Sequence, residues 1–553
     1  MPRVHLPGYR SRPESRVYFA DPASALSSPQ ARAAFVAAMQ TPAAYAALHP
    51  VEGAIGCVET HVSWVFLTGA YAYKVKKPLL LPFLDYSTAA RREWFCREEM
   101  RLNRRFAPGL YLDTVPIAGR PDAPRVGACD EAAFEHALRM VQFGPGQELT
   151  QLLQAQEVAP AEIARLGEDL WRVHESAVLA DPDGPFGAPS RLHRVTLDNF
   201  DEIAGALPAA PGSGLGRLKA DVEQWFSRLE ARMELRKREG HVRECHGDLH
   251  CGNIVRWGDR LVAFDGLEFD PALRFIDVAN DLAFLSMDLA AQQCDALRST
   301  LLDAWTAASG DYAAIELLPY YETYRALVRA KVAALRDGQA RGDATAAALA
   351  RRYLAWAEAR STRRAPTLVL MAGLSGSGKT WLARRIAEAI GALHVRSDVE
   401  RKRLAGLAPL ASSRAAPDAG LYTPDFTLRT YARLGECVRS CLRGGESVVV
   451  DAANLRRHER EAFVRIAADF GASAQLVLCQ APLEVLRERV AARSAAGTDA
   501  SEATVALLQR QPSYWEALSE AERIITLEVD TSRPGQVDAA LHRLALEAQG
   551  PER

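Results

Sequence analysis

The chain has 553 residues, a length that predicts three or four compact units. Its 67 basic and 69 acidic side chains leave a formal charge of -2, which removes any general electrostatic ground for a nucleic-acid or membrane-surface partner. No run approaches the ~18 consecutive apolar residues of a membrane span, the start MPRVHLPGYRSRPESR lacks the apolar core of a secretory signal, and nine scattered cysteines form no disulfide framework, so a reduced, cytoplasmic protein is expected.

In chain order, residues 1–28 are rich in Pro, Arg and Ser without periodicity and read as a flexible extension. Residues 63–67 and 70–76 suit strands, with Thr68-Gly69 as the turn between them. Ala72 and Lys74 share one face of the second strand, and Lys76 points the same way. The small Ala72 two residues earlier favours Lys74 as the group that meets phosphate. A helix is predicted over 91–106 with Phe95, Leu102 and Phe106 on one stripe; Glu99 lies nearer that stripe than Glu98 and is the better partner for Lys74. A third strand is predicted at 136–143, followed by a mainly helical pattern that is interrupted over 245–269.

That interruption holds His246-Gly247-Asp248, then Asn253, then Phe264-Asp265-Gly266. Phosphoryl transfer needs one carboxylate at the acceptor hydroxyl, and an amide with a second carboxylate around Mg²⁺. The arrangement resembles the aminoglycoside phosphotransferase family, in which HGD stands where protein kinases have HRD. The resemblance implies an α+β, two-lobed protein-kinase-like fold, Asp248 as the catalytic residue, and Asn253 and Asp265 as metal ligands. His174 matches a helical histidine of that family, and reads equally as a satisfied core residue. Cys245, His246, His250 and Cys251 also crowd together, but no second ligand pair stands at zinc-finger spacing. Glu268, Asp270, Asp277 and Asp281 extend the acidity, either toward metal and acceptor or as caps and ion-pair partners.

The stretch up to Pro366 is Ala- and Arg-rich and ends in STRRAP, which suits a connector. The division expected is an extension over 1–28, a kinase-like domain over 29–340, a helical linker over 341–366 and a P-loop domain over 367–545. Strands predicted at 367–372, 393–396, 447–450 and 475–478 alternate with helical stretches, the pattern of a parallel α/β sheet. After the first of them, Gly373-Leu374-Ser375-Gly376-Ser377-Gly378-Lys379-Thr380 satisfies the Walker A pattern. Its backbone N–H groups are suited to ATP phosphates, Lys379 to the outer phosphates and the Thr380 hydroxyl to Mg²⁺. Asp398 and Asp451 end or follow later strands, where carboxyl ends open on the same crevice. Asp451 suits the Mg²⁺ carboxylate, and Asp398 either a base for an acceptor hydroxyl or a helix cap.

The P-loop half resembles small-molecule and polynucleotide kinases, including gluconate-kinase-like and zeta-toxin-like proteins. Ser397, Asp398 and Arg401 look like the acceptor segment of some of them. Arg487, Arg489 and Arg493 lie where such kinases carry lid arginines; Arg489 and Arg493 share a helix face and read as a phosphate clamp or as a solvated basic surface. The whole chain looks like bacterial bifunctional proteins that fuse an aminoglycoside-phosphotransferase-like domain to a P-loop ATP-binding domain. The function expected is ATP- and Mg²⁺-dependent phosphoryl transfer to small hydroxylated acceptors at two nucleotide sites. The alternatives are a polynucleotide 5′-hydroxyl kinase in the second half and a nucleotide-sensing ATPase. No Gly-rich loop of the protein-kinase kind is evident, which argues against a protein kinase.

Overall fold

Six antiparallel strands build the first sheet of the computed structural model, which describes residues 18–19, 25–81, 84–207, 214–340, 344–362, 365–409, 411, 420–496 and 499–549. Their order is Gly56–Glu59, Ser63–Leu67, Tyr71–Lys76, Glu135–Val141, Tyr111–Arg120, Ala123–Val126. Tyr71–Lys76 is central and buried on both faces. Tyr73 and Val75 enter an apolar core with Phe35, Trp64 and Phe66, while Ala72, Lys74 and Lys76 occupy the opposite face. The extension predicted at 1–28 lies largely outside the described residues. Within them Tyr18–Phe19 pair with Leu79–Leu80, and Ser28 caps helix Pro29–Met39 through a 3.0 Å bond from Ala31 N.

Helix Ala89–Asn103 starts at a Thr88 cap and buries Arg92, Cys96, Glu99, Leu102 and Asn103. The predicted Phe95–Leu102–Phe106 stripe is therefore displaced: Phe95 is half-buried and Phe106 lies beyond the helix. The true inner face is charged. Arg92 meets Glu135 at 2.6 Å, both fully buried, and Glu99 meets two lysines, so apolar spacing does not mark the face.

The second sheet is five-stranded and parallel, in the order Leu393–Arg396, Val448–Asp451, Thr367–Ala372, Ser473–Gln480, Thr526–Asp530. Val369, Met371, Val449 and Val477 pack with Leu382 and Ile386 of helix Lys379–Ile390. The first strand of this unit sits in the middle, so the chain reverses its direction of travel across the sheet beside the phosphate loop, where such sheets open a crevice. The fold is thus a kinase-like α+β domain followed by an α/β P-loop domain.

The chain forms two compact units. One takes the residues up to Glu157 with Val173–Gly187 and Glu239–Asp281; the other takes Val158–Arg172, Ala188–Arg238 and Leu282 onward. The second unit contains a buried four-charge network. Arg298 meets Glu322 at 2.7 Å and Glu446 at 2.8 Å, and Arg360 meets Glu322 at 2.9 Å and Glu446 at 3.1 Å. Helix Ala344–Ser361, in the stretch read as a linker, supplies Arg360, and Glu446 lies just ahead of strand Val448–Asp451. Losing any one member leaves a buried charge uncompensated. No described helix is long and apolar enough to cross a membrane.

Candidate functional site

Two constellations form, one in each unit. In the first, the pleat aims Lys74 and Lys76 at Glu99 together: Lys74 Nζ lies 2.8 Å from Glu99 Oε1, and Lys76 Nζ lies 2.7 Å from Oε2. Their second partners separate them. Lys74 also pairs with Asp265, whereas Lys76 pairs with Glu268 and donates to Tyr86 Oη at 3.2 Å. Burial works to lower the Lys74 ammonium, but Asp265 and Glu99 outweigh it and hold it above its ordinary value. Burial likewise works to raise the Glu99 carboxyl, and Lys74 and Lys76 hold it below the usual range. Only Lys74 therefore touches a residue of the expected metal pair.

The Asp248 and Asp265 segments are laced together by backbone. Phe264 N donates to Asn253 O at 2.9 Å, Leu267 N to His246 O at 3.0 Å, and His246 Nε2 to Phe264 O at 2.9 Å. Asn253 Nδ2 donates to Asp248 O at 2.9 Å and to Oδ2 at 3.1 Å, which leaves the amide oxygen as its donor toward a cation. Asp265 adopts φ +61°, in the left-handed region, and Gly266 N is held by Asn103 Oδ1 at 2.8 Å. Gly247 has φ +85°, and a Cβ there would meet Leu273 O at 2.8 Å, so the loop requires glycine at this position.

Asp281 anchors the loop from below. Its carboxylate accepts from His246 N at 3.0 Å, Gly247 N at 2.9 Å and His174 Nε2 at 3.1 Å. Burial would raise this carboxyl, yet His174, His246 and the backbone donors bring it down to about 2. His174 is thus a buried partner of Asp281. The ligand atoms of His174, Cys245 and Asp281 lie within 4.8 Å of one another, but both Asp281 oxygens already serve backbone N–H groups. The zinc reading of Cys245, His246, His250 and Cys251 also fails locally. His246 spends Nε2 on Phe264 O and Nδ1 on Asp248 N, and burial keeps it neutral by lowering its pKa. Glu268 serves Lys76, Asp270 caps helix Pro271–Arg274, and Asp277 accepts from Ala279 N at 2.9 Å.

In the second unit, the loop from Gly373 to Gly378 leads directly into helix Lys379–Ile390. Gly373 has φ +138°, and a Cβ there would come within 2.4 Å of Cys479 O, so this position accepts glycine alone. A slot of about 160 Å³ is lined by Ser375, Lys379, Thr380, Asp398, Asp451 and Arg493. Lys379 Nζ donates to Leu374 O at 2.8 Å, and burial lowers its pKa although Asp451 opposes this. Thr380 hydrogen-bonds to Asp451, whose pKa is held down against burial by His394, 3.3 Å away, and by Arg396. Asp398 stands in the first turn of helix Ser397–Leu404, beyond the cap position held by Arg396. Arg489 donates to Thr531 Oγ1 at 2.8 Å, Thr531 O at 3.2 Å and Gly376 O of the phosphate loop at 3.4 Å, whereas Arg493 lines the slot.

Sequence reasoning missed Gln511, whose Oε1 accepts from Ser375 N at 2.7 Å, and His394 behind Asp451. Neither belongs to a motif, and each reaches its partner only through the fold. The donor sets fit Mg²⁺ in both places. Asn253 and Asp265 offer hard oxygens, as do Thr380 and Asp451, and Arg493 Nη2, on a residue that lines the slot, has no partner among the described residues, as expected of a group that receives phosphate.

Residues 95–318 match the family model described as "Phosphotransferase enzyme family", and residues 368–518 match the one described as "AAA domain". Uncharacterized proteins of Mycobacterium tuberculosis and Mycobacterium bovis are 30% identical over 473 residues, covering 85% of this chain and 92% of each relative. Among solved structures, a choline/ethanolamine kinase family protein from Mesorhizobium loti covers 59% of this chain and 99% of its own, at 15% identity and a TM-score of 0.37. A gluconokinase from Sinorhizobium meliloti covers 33% of this chain and 95% of its own, at 27% identity and a TM-score of 0.25.

Proposed function

The chain belongs to the same family as these mycobacterial proteins and is an ATP-dependent phosphotransferase by class, and on that premise we propose that each half binds its own ATP and phosphorylates a small hydroxylated acceptor. The observation that carries this reading is that each unit contains a lysine, a metal-type oxygen pair and a further carboxylate of its own. In the first unit, Glu99 fixes Lys74 for the phosphates and Asp248 takes or orients the acceptor proton, with Asn253 holding its carboxylate in place. In the second, the glycine-rich backbone and Lys379 hold phosphate, Arg493 adds charge and Asp398 serves the acceptor hydroxyl. Bound Mg²⁺ would supply Lewis-acid charge at the phosphates, held by Asn253 and Asp265 in one half and by Thr380 and Asp451 in the other. Use of ATP on soluble metabolites accords with a cytoplasmic protein.

The test is ADP release from the full chain against a panel of metabolites, aminoglycosides and short 5′-hydroxyl oligonucleotides. Activity with one small acceptor that disappears in Asp248→Asn, and with another that disappears in Asp398→Asn, is the expected result. Turnover unaffected by either variant refutes the assignment.

A further inference from the structure

Beside the P-loop slot lies a cavity of about 840 Å³ that shares Arg401, Tyr422, Tyr431, Leu507 and Gln511 with it. That volume sits in the upper part of the roughly 300–1,000 Å³ range of ligand pockets, more than a sugar-sized acceptor fills. Helices Pro424–Arg443 and Arg457–Asp469 wall it with Leu428, Phe463 and Ile466, and Leu428 is 68% exposed. A large aliphatic side chain open to a cavity beside a reaction site is a contact surface in waiting.

Among the described residues the charged lining is mainly basic. Arg401, Arg439 and Arg456 face it, and the acidic Glu459 is engaged: it accepts from Arg456 N at 3.1 Å and from the Tyr431 hydroxyl. Arg401 is 8% exposed, and its Nη1 donates to Leu421 O at 2.6 Å and Thr427 Oγ1 at 3.2 Å. Its Nε is buried and has no partner among the described residues.

We propose that this cavity seats the acceptor of the P-loop half, and that the acceptor is a small molecule with an aromatic or apolar body, an acidic group and a hydroxyl that reaches Asp398. This rests on the phosphoryl-transfer reading of the adjoining slot. In the transfer, the acceptor oxygen bonds to the γ-phosphorus as the bond from that phosphorus to the β–γ bridging oxygen breaks. ADP leaves with the electron pair, and the hydroxyl proton passes to Asp398 and then to solvent. A polynucleotide end would instead call for a continuous basic track, which walls of Leu428, Phe463 and Ile466 do not provide.

The full chain is titrated with anilinonaphthalene sulfonate, an aromatic anion, and with neutral phenylnaphthylamine, while a fluorescent ATP analogue reports the slot separately. Leu428→Asp, on an exposed position, is expected to weaken both aromatic probes about tenfold, and Arg439→Gln to weaken the sulfonate alone by roughly threefold or more. The ATP analogue binds alike in all three proteins. Sulfonate affinity unchanged by both variants overturns the proposal. ADP release should appear with aromatic hydroxy acids and require Asp398; turnover confined to gluconate or to a 5′-hydroxyl oligonucleotide also overturns it. If wild-type protein fails to bind the ATP analogue, the phosphoryl-transfer reading falls, and the aromatic titrations still decide what the cavity accepts.

Discussion

The two sites solve the same electrostatic problem with different materials. The first unit holds its phosphate-type cation with side chains: Lys74 and Lys76 share the buried Glu99, and the half-exposed Asp265 and the buried Glu268 complete an alternation of charge. The second uses backbone at a helix start, with Lys379 spending its one described hydrogen bond on Leu374 O. A charge network is part of the folded core before any nucleotide arrives, whereas a backbone cradle leaves its cation dispensable to folding. Substitution should therefore cost stability in one site and affinity in the other.

The largest effect is expected from Asp248→Asn in a Lys379→Ala background, at a nucleotide concentration that fills the first site and leaves the weakened second site largely empty. Phosphoryl transfer should fall by about 10²–10⁴ with nucleotide still bound, because the acceptor proton loses its carboxylate. Single-turnover kinetics on the purified full chain reads this directly.

Next, Glu99→Gln leaves Lys74 and Lys76 buried with one anion fewer and should destabilise the first unit by roughly 3 kcal/mol, seen as a lower denaturation midpoint. Lys379→Ala is the matched change in the other site. It should lower nucleotide affinity there about tenfold to a hundredfold and leave the midpoint unchanged. Equal stability losses in the two variants would erase the distinction between the sites.

A smaller effect follows pH. Asp281 has a folded pKa of about 2 against an ordinary 3.8, so its ionised form stabilises the fold by about 2 kcal/mol. Because the folded value is depressed, that contribution is full above about pH 4 and disappears as pH falls toward 2. Asp281→Asn should flatten this part of the stability profile, which denaturant titrations at several acid pH values would record.

Legibility from sequence followed the same divide. The loop from Gly373 to Gly378 stands between a strand and helix Lys379–Ile390 as its consecutive residues implied, and strands Thr367–Ala372 and Leu393–Arg396 stand where apolar runs placed them. Strand Thr526–Asp530 was missed, since only Val529 of its five residues is fully buried. Strand Tyr111–Arg120 was missed; it contains Pro116 and Gly119, residues that strands disfavour, and pairing with His136 on one side and Pro124 on the other holds them. Glu99 emerged from an apolar stripe that the fold displaces, because the inner face of its helix is charged and locally compensated. Arg360 looked like connector composition, and its burial depends on Glu446, 86 residues away. Gln511 and the acceptor-side cavity had no local signal, since their residues converge only in three dimensions.

The most direct test of two independent sites is calorimetric titration of the intact chain with a non-hydrolysable ATP analogue and Mg²⁺. Two nucleotides should bind wild type, and Lys379→Ala should weaken one by about tenfold to a hundredfold and leave the other at unchanged affinity, because Lys74, Glu99 and Asp265 are untouched. A single nucleotide in wild type, or loss of both in a Lys379→Ala protein with an unaltered denaturation midpoint, would contradict the account.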